Sequence, residues 1–302
     1  MGGAGGGFNS TRQDIRSVQD ATRDTAYEAE CNAFLRELLV GFNDRNVEAV
    51  RTHVEEIETA LGKEVSGSIN LAFGGSITKH TYVDGISDVD ALVILDNCEL
   101  SEATPAEAKL YLVSRLQERF PRTEITEGQL AVTAHFSDID VQLLPAVTCN
   151  GTTHISDETI NRWAPIRPKE FANILSRVNA DHSSKVVPVV KIAKAIVSNL
   201  PEQQRTSGYH MESLAVDVFR NYDGAHTLKD MTKHFFTEAA RRVLAPIRDT
   251  TGQSVHVDDA LGDENSVERR RVGDAFARVA RRMGNADAAA TLEGWKGILG
   301  VN

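Results

Sequence analysis

Two aspartates separated by one residue begin a strongly apolar stretch of the sequence. Asp88 and Asp90 open DVDALVIL, 88–95, in which all the other residues are apolar. Residues two apart in a β-strand project from the same face, so the two carboxylates would lie side by side in a strand that is covered on both faces. Like charges repel each other there and need a bound cation to stay ionised. The pattern therefore predicts a metal-binding strand.

A second stretch of this kind carries further acids. In HFSDIDVQLLPAV, 135–147, Asp138 and Asp140 would share a face with Gln142, while the opposite face is apolar. Carboxylates from adjacent strands are the ligands that a two-metal site requires, because two Mg²⁺ ions about 3.5 to 4 Å apart must be bridged and flanked by oxygen atoms. Together the two stretches predict such a site.

A turn that could hold a phosphate precedes the acids. Gly75 and Ser76 stand in FGGS, 73–76, where glycine allows a close backbone approach and serine adds a hydroxyl. A Gly-Ser turn or an Asp-x-Asp pair alone is usually a plain turn or a solvated strand end. Their conjunction is more specific, since the acids here run into a hydrophobic strand. We interpret it as a nucleotide site, and the sequence contains neither Gly-x4-Gly-Lys-Ser/Thr nor His-Glu-x-x-His.

The elements that would position these residues occupy the first half of the chain. The hydrophobic pattern predicts a long or broken N-terminal helix over about 13–61, interrupted near 41–46, and no repeat. Strands are predicted at 69–73, 89–95, 130–136 and 139–144, and helices at 105–120, 168–178, 184–199, 210–222, 228–244 and 267–295. We expect an α+β fold with a flexible tail over 1–12, a core over 13–152 that includes the long helix, and a helical domain over 153–302.

Composition is that of an ordinary soluble protein. The 302 residues are 41% apolar and 25% charged, and no run reaches the ~18 to 20 apolar residues of a membrane span. We therefore expect a cytoplasmic protein with no membrane contact. Cys31, Cys98 and Cys149 are too far apart for a Cys-x-x-Cys metal site, and their odd number disfavours a disulfide framework. The net charge of −10 disfavours a surface that grips nucleic acid.

A family resemblance adds to this interpretation. The stretch FGGSITKHTYVDGISDVDALVIL, 73–95, resembles the signature of the DNA-polymerase-β-like nucleotidyltransferase superfamily, and the chain is most similar to its cGAS/DncV-like enzymes, or CD-NTases. The resemblance makes Asp140 the third acid. It implies a polymerase-β-like nucleotidyltransferase core of mixed sheet and helices plus a C-terminal helical domain, with the active site in the cleft between them.

Two later stretches carry the same resemblance. VVPVVKIAKAIV, 186–197, resembles the helix with a triphosphate-binding lysine, which falls on Lys191, and SGYHMESLAV, 207–216, places Ser207 and Tyr209 in the nucleotide pocket. Apart from the resemblance, Lys191 would be a lysine that reaches out to solvent and Tyr209 a core aromatic. Lys194, one turn after Lys191, either shares its role or faces solvent.

The remaining differences concern histidines and insertions. We expect His182 and His210 to be non-catalytic, because a two-metal mechanism uses carboxylates. His80 stands where many relatives have glycine, and no zinc-ribbon insertion is present, so direct DNA sensing is not expected.

The resemblance implies an activity and its requirements. Two Mg²⁺ ions, with Mn²⁺ as a substitute, would be held by Asp88, Asp90 and Asp140, and Gly75 and Ser76 would help to hold the triphosphate. NTPs, with ATP among them, would form a cyclic di- or trinucleotide that switches on a separate effector protein in bacterial antiphage (CBASS) signalling. A regulatory protein partner is implied by analogy with the family alone.

Two alternatives stay open at this point. One is a template-free adenylyltransferase or polymerase acting on RNA, a small molecule or a protein, although the acidic charge disfavours tRNA. The other is a catalytically inactive nucleotide-binding module, which the presence of all three acids disfavours. The sequence does not determine the bases, the ring size, the 2′-5′ or 3′-5′ linkage, the oligomeric state or the activating signal.

Overall fold

The computed structural model describes residues 7–42, 47–62, 68–73, 89–96, 102–128, 131–157, 161–166, 168–248 and 257–301. In this part of the chain, two helices, two strands, one helix and five strands follow one another up to residue 166, and helices follow. The strands are β1 Ser68–Phe73, β2 Val89–Asp96, β3 Glu124–Glu127, β4 Val132–His135, β5 Asp140–Cys149, β6 Thr152–Asp157 and β7 Arg162–Ile166. The helices are α1 Gly7–Gly41, α2 Val47–Gly62, α3 Pro105–Arg119, α4 Pro168–Asp181, α5 Val186–Ser198, α6 Gly208–Phe219, α7 Leu228–Arg242, α8 Val267–Ala289 and α9 Leu292–Leu299.

The strands form one mixed sheet. Its order is β1-β2-β5-β4-β3, and β6 pairs with β5 and β7. β2 and β5 run parallel, and every other described pair is antiparallel. Parallel pairing places the starts of β2 and β5 at the same edge of the sheet, which is where both acidic stretches begin.

Helices α2 and α3 cover one face of this sheet. α3 begins with a capping box, in which the Thr104 side chain accepts from the Glu107 N–H and the Glu107 carboxylate accepts from the Thr104 N–H. Its buried side chains form one cluster with apolar residues of α2, β2 and β5. Val141 and Leu143 face this cluster, whereas the alternating residues Asp140 and Gln142 are only half-buried. The acid at the start of β5 therefore belongs to the face opposite α2 and α3.

A second core is formed by the helical half of the chain. Buried side chains of α4 to α9 build it, and Tyr27, Cys31 and Leu35 of α1 belong to it as well. Polar contacts also join α1 to this half: Tyr27 Oη donates to Asp287 Oδ1 at 3.0 Å and accepts from Trp295 Nε1 at 2.9 Å. α1 is therefore packed with the C-terminal helices in the part of its length where side chains are described.

The predicted architecture, an α+β core followed by a helical region, is confirmed. The interruption predicted near 41–46 agrees with the end of α1 at Gly41 and the start of α2 at Val47. No helix in the described ranges is both long and apolar enough to cross a bilayer.

The predicted boundaries do not all coincide with the ends of the described helices and strands. α1 begins at Gly7, inside the expected tail 1–12, and its buried residues pack with the helical half instead of with the core 13–152. The boundary at 152/153 falls within β6, because the β6–β7 hairpin is partly exposed and lacks a regular alternation of apolar and polar residues. The single helix predicted over 267–295 is two, since Ala290 adopts a left-handed conformation with φ 49°.

Candidate active site

The acidic positions of β2 and β5 are neighbours in the sheet. Val89 pairs with Val141 and Asp90 with Gln142 in the parallel ladder, so the backbone of Asp90 lies beside a residue two positions from Asp140. Asp90 is described by its backbone, and Asp88, Gly75 and Ser76 lie outside the described residues. The register agrees with the predicted grouping of acids from two adjacent strands.

Asp140 has a histidine as its immediate neighbour. His135 of β4 pairs directly with Asp140 in the antiparallel ladder, and its Nδ1 lies 2.9 Å from Asp140 Oδ1. The other ring nitrogen, Nε2, lies 2.8 Å from Thr126 Oγ1 on β3. The side chain of Asp140 is 42% exposed and that of His135 is 33% exposed. The sequence did not single out His135 as a site residue. Its position five residues before Asp140, at the end of the strand that precedes the turn, could have indicated the pairing.

Asp138, the other acid of this stretch, has different partners. It lies in the turn between β4 and β5, and its Oδ1 is 2.9 Å from His53 Nε2 of α2. The His53 ring stacks on Phe136 with the ring centroids 4.1 Å apart. Asp138 therefore joins the turn to α2, while Asp140 starts the strand next to β2.

The described side chains alone do not form a complete metal cluster. Within the described ranges, no group of three or more His, Cys, Asp or Glu side chains is placed to hold a metal ion. The half-exposed carboxylate of Asp140 nevertheless offers the hard oxygen ligand that Mg²⁺ prefers. The chemistry of Asp140 therefore fits such an ion, and Asp88 and Asp90 stay predicted ligands.

A buried ion pair lies near the start of α6, where Ser207 and Tyr209 are the residues predicted for the nucleotide pocket. Lys194 Nζ of α5 is 2.9 Å from Glu212 Oε1, and the two side chains are 6% and 1% exposed. The same ammonium lies 3.2 Å from the point where a Cβ on Gly208 would be. Ser207 caps the helix by accepting from the His210 N–H at 3.1 Å. Lys194, the Ser207 hydroxyl and the first N–H groups of α6 are therefore brought together.

Both lysines of α5 are buried. Lys191 is 9% exposed and Lys194 is 7% exposed, so neither side chain reaches out to solvent. This excludes the solvent-facing alternatives for the two residues. The contacts with Gly208 and Glu212 place Lys194 at the start of α6, and Lys191 lies one helical turn earlier.

Tyr209 is a half-buried aromatic at the border of the helical core. Its ring meets Phe171 of α4 edge to face, with the centroids 4.8 Å apart. The ring packs against the core cluster as a partly buried member. Part of Tyr209 therefore serves core packing, as the structural alternative predicted, and part of it remains accessible.

His210 and His182 lie in structural contacts. His210 is 2% exposed, and its Nε2 lies 3.6 Å from Asp258 Oδ2. Burial lowers the pKa of His210 to about 4, against the opposing effect of Asp258 and together with the charge of Arg269. His182 donates from Nε2 to the Phe219 carbonyl at 2.6 Å. Neither contact brings an imidazole to Asp140.

Comparison with known families gives a match by sequence. Residues 27–179, half of the chain, match the Second Messenger Oligonucleotide or Dinucleotide Synthetase domain, abbreviated SMODS. The match contains both acidic stretches. No curated protein matches the sequence at a significant level.

Solved structures share the fold over most of the chain. Escherichia coli MS115-1 CdnC with ATP has a TM-score of 0.62 at 18% identity, and the match covers 90% of this chain and 97% of CdnC. The complex of CdnC with HORMA-deltaN has a TM-score of 0.60 at 18% identity, and the match covers 86% of this chain and 91% of that chain. The Bradyrhizobium diazoefficiens CD-NTase CdnG with GTP has a TM-score of 0.66 at 12% identity, covering 90% and 96%. Vibrio cholerae DncV, a cyclic AMP-GMP synthase and prokaryotic cGAS homolog, has a TM-score of 0.60 at 9% identity, covering 96% and 90%.

Proposed function

Because the chain belongs to the SMODS family of cGAS/DncV-like nucleotidyltransferases, we propose that it joins nucleoside triphosphates into a cyclic di- or trinucleotide second messenger and releases pyrophosphate. The observation that carries the proposal is the parallel register of β2 and β5. It sets the backbone of Asp90 beside Gln142, two residues from Asp140, and so supports a group of acids from adjacent strands of the kind that nucleotidyl transfer uses.

The metal site of this proposal consists of Asp88, Asp90 and Asp140. These residues would hold two Mg²⁺ ions, for which Mn²⁺ is the expected substitute. When bound, such ions stabilise negative charge on the transferring phosphoryl group and make the attacking hydroxyl more acidic. Asp140 would also accept the proton of the attacking ribose hydroxyl on a carboxylate oxygen.

The start of α6 is the proposed triphosphate site. An ammonium beside a helix N-terminus is unfavourable by itself, because the helix dipole is positive at that end. Glu212 offsets the charge of Lys194 when no substrate is present. A triphosphate would satisfy Lys194, the Ser207 hydroxyl and the first N–H groups of α6 together. Lys191, the residue assigned by the resemblance, would be a second cation, and Gly75 and Ser76 would bind the triphosphate from the other side.

Tyr209 is the proposed stacking platform for a nucleobase. Its ring is only half-buried, and the edge-to-face contact with Phe171 would support it from the core. Stacking accepts every base, since each has a π face. Selection among bases would therefore depend on other pocket residues.

Substrates and partners follow by analogy with the structural neighbours. CdnC is solved with ATP, and CdnG is solved with GTP. We accordingly propose ATP among the substrates here. The complex of CdnC with HORMA-deltaN supports a regulatory protein partner for this chain. We further propose that the product activates a separate effector in antiphage signalling.

Product analysis tests the proposal directly. The purified protein is incubated with all four NTPs and Mg²⁺, and with Mn²⁺ in parallel, and phosphatase-resistant products are identified by mass spectrometry. We expect cyclic oligonucleotides from the unmodified protein and none from Asp140→Asn. Linear oligomers, or nucleotide transferred to an added RNA, small molecule or protein, would instead identify a template-free transferase. An absence of products together with retained NTP binding would identify a nucleotide-binding module.

A further inference from the structure

We propose that His135, held by Thr126, is a positioning residue that orients the carboxylate of Asp140 for metal binding. The contacts Thr126 Oγ1 to His135 Nε2 at 2.8 Å and His135 Nδ1 to Asp140 Oδ1 at 2.9 Å carry the inference. It rests on the proposed function, because Asp140 must be a metal ligand. It adds to that function two residues that are not acids and that belong to strands other than β2 and β5.

The sheet itself generates this row of three side chains. His135 lies directly opposite Asp140 in the β4–β5 ladder, and Glu124 lies opposite His135 in the β3–β4 ladder. Thr126 is two residues from Glu124 and therefore projects from the same face as His135. The three polar side chains thus cross three strands on one face, and the strand pairing sets their separation.

The hydrogen-bond partners of the His135 ring determine which of its nitrogens carries a proton. An ionised carboxylate only accepts hydrogen bonds, so the 2.9 Å contact requires a proton on His135 Nδ1. In the neutral ring Nε2 then accepts from the Thr126 hydroxyl, and in the charged ring Nε2 donates to it. Both ring nitrogens have a partner in either state. Thr126 therefore keeps the ring oriented with Nδ1 toward Asp140.

The hydrogen bond from His135 to Asp140 Oδ1 orients the carboxylate for metal binding. With 42% of its side chain exposed, Asp140 would otherwise be free to rotate its carboxylate among several orientations. The contact at Oδ1 restricts that rotation and leaves Oδ2 as the oxygen available to an ion. Residues that hydrogen-bond a metal ligand from behind typically change metal affinity or activity by about 10- to 100-fold when they are removed.

The role is distinguishable from a purely structural one. Both partners of the pair are exposed by a third or more, so the contact contributes little to the stability of the fold. Removing His135 should therefore leave the melting temperature nearly unchanged and still lower the metal affinity. A residue that only supports the fold would show the opposite result.

The experiment is a calorimetric titration of Mn²⁺ into the nucleotide-free full-length protein. We expect His135→Ala to weaken Mn²⁺ binding by about 10- to 100-fold. His135→Asn should retain most of the affinity, because its side-chain N–H lies near the position of Nδ1. Thr126→Val should weaken binding and Thr126→Ser should not. His154→Asn, on β6 of the same sheet, is the matched control, because the Nδ1 of His154 contacts the Thr152 carbonyl instead of an acid.

A double variant separates this inference from the proposed function. Asp140→Asn should weaken Mn²⁺ binding, and adding His135→Ala to it should cost nothing further, because His135 acts through Asp140. If Asp140→Asn leaves Mn²⁺ binding unchanged, the proposed metal site itself is wrong. If Asp140→Asn weakens binding and His135→Ala does not, only the positioning role is wrong. Equal losses for His135→Ala, His135→Asn and the His154 control would also overturn it.

Discussion

At the scale of single residues, Lys194 is the clearest case of a side chain whose surroundings define its role. Its ammonium is almost fully buried, it is paired with Glu212, and it lies against the first residue of α6. A buried ion pair contributes little net stability, because removing two charges from water is costly. We therefore interpret the pair as a means of holding a cation at a phosphate site.

The pair allows stability and ligand binding to be separated. Lys194→Met alone leaves Glu212 buried without its cation, which should lower the free energy of unfolding by about 3 to 5 kcal/mol. The double variant Lys194→Met, Glu212→Leu should recover most of that stability, yet it should still bind a non-hydrolysable ATP analogue weakly. Denaturant unfolding and calorimetry measure the two quantities. A double variant that binds the analogue normally would contradict a phosphate role for Lys194.

At the scale of elements, the start of α6 is tied to the segment that precedes α8. Arg269 of α8 is fully buried, contacts Asp258 at 2.5 Å and also donates to the Gly262 and Val243 carbonyls. The imidazole of His210, the residue after Tyr209, packs against this pair. The end of α6 for which we propose nucleotide binding is therefore in contact with an ion pair formed by α8 and the segment before it.

This arrangement predicts acid sensitivity. Burial lowers the pKa of His210 from 6.5 to about 4, so between these values the unfolded chain binds a proton that the folded protein does not. The free energy of unfolding therefore keeps the full contribution of unprotonated His210 above pH 6.5. As the pH decreases toward about 4, this contribution falls by up to about 3 kcal/mol. Denaturant unfolding at a series of pH values measures the decrease. His210→Gln should show a shallower decrease over this window, and an unchanged slope would contradict the assignment.

At the scale of the whole molecule, α1 packs against the last helices of the chain. Tyr27 lies between Asp287 of α8 and Trp295 of α9, and Lys229 of α7 contacts Glu28 of α1 at 3.1 Å. The helix that precedes the sheet in the sequence thus completes the core of the helical half. The two halves of the molecule are consequently not two consecutive pieces of the chain.

Removing one hydroxyl tests this connection. Tyr27→Phe deletes the acceptor of the buried Trp295 N–H and a donor to Asp287, so we expect a loss of about 1 to 3 kcal/mol in the free energy of unfolding. Tyr222→Phe is a matched control, because the Tyr222 hydroxyl donates to Ala225 O in an exposed turn. Thermal or denaturant unfolding compares the variants. An equal loss in the two variants would show that α1 is not held by the buried contacts of Tyr27.

The sequence by itself was sufficient for features whose signal is local. Three such features depend only on neighbouring residues, and the structure confirms them. They are the alternation around Asp140 and Gln142, the helical periods of α4 to α7 and the break after Gly41. The family resemblance is also local, because it is carried by short contiguous stretches, and the SMODS match confirms it. Asp88, Gly75 and Ser76 remain predictions, since they lie outside the described residues.

Tertiary structure decided the features that join distant parts of the chain. The contact of His135 with Asp140 depends on the β4–β5 register, and that of Lys194 with Glu212 depends on how α5 packs against α6. The place of α1 in the helical core depends on partners about 260 residues away, among them Asp287. Such contacts leave no periodic trace in the sequence, because each partner also fits the pattern of its own element. Only the packing of the folded chain selects which of these residues meet.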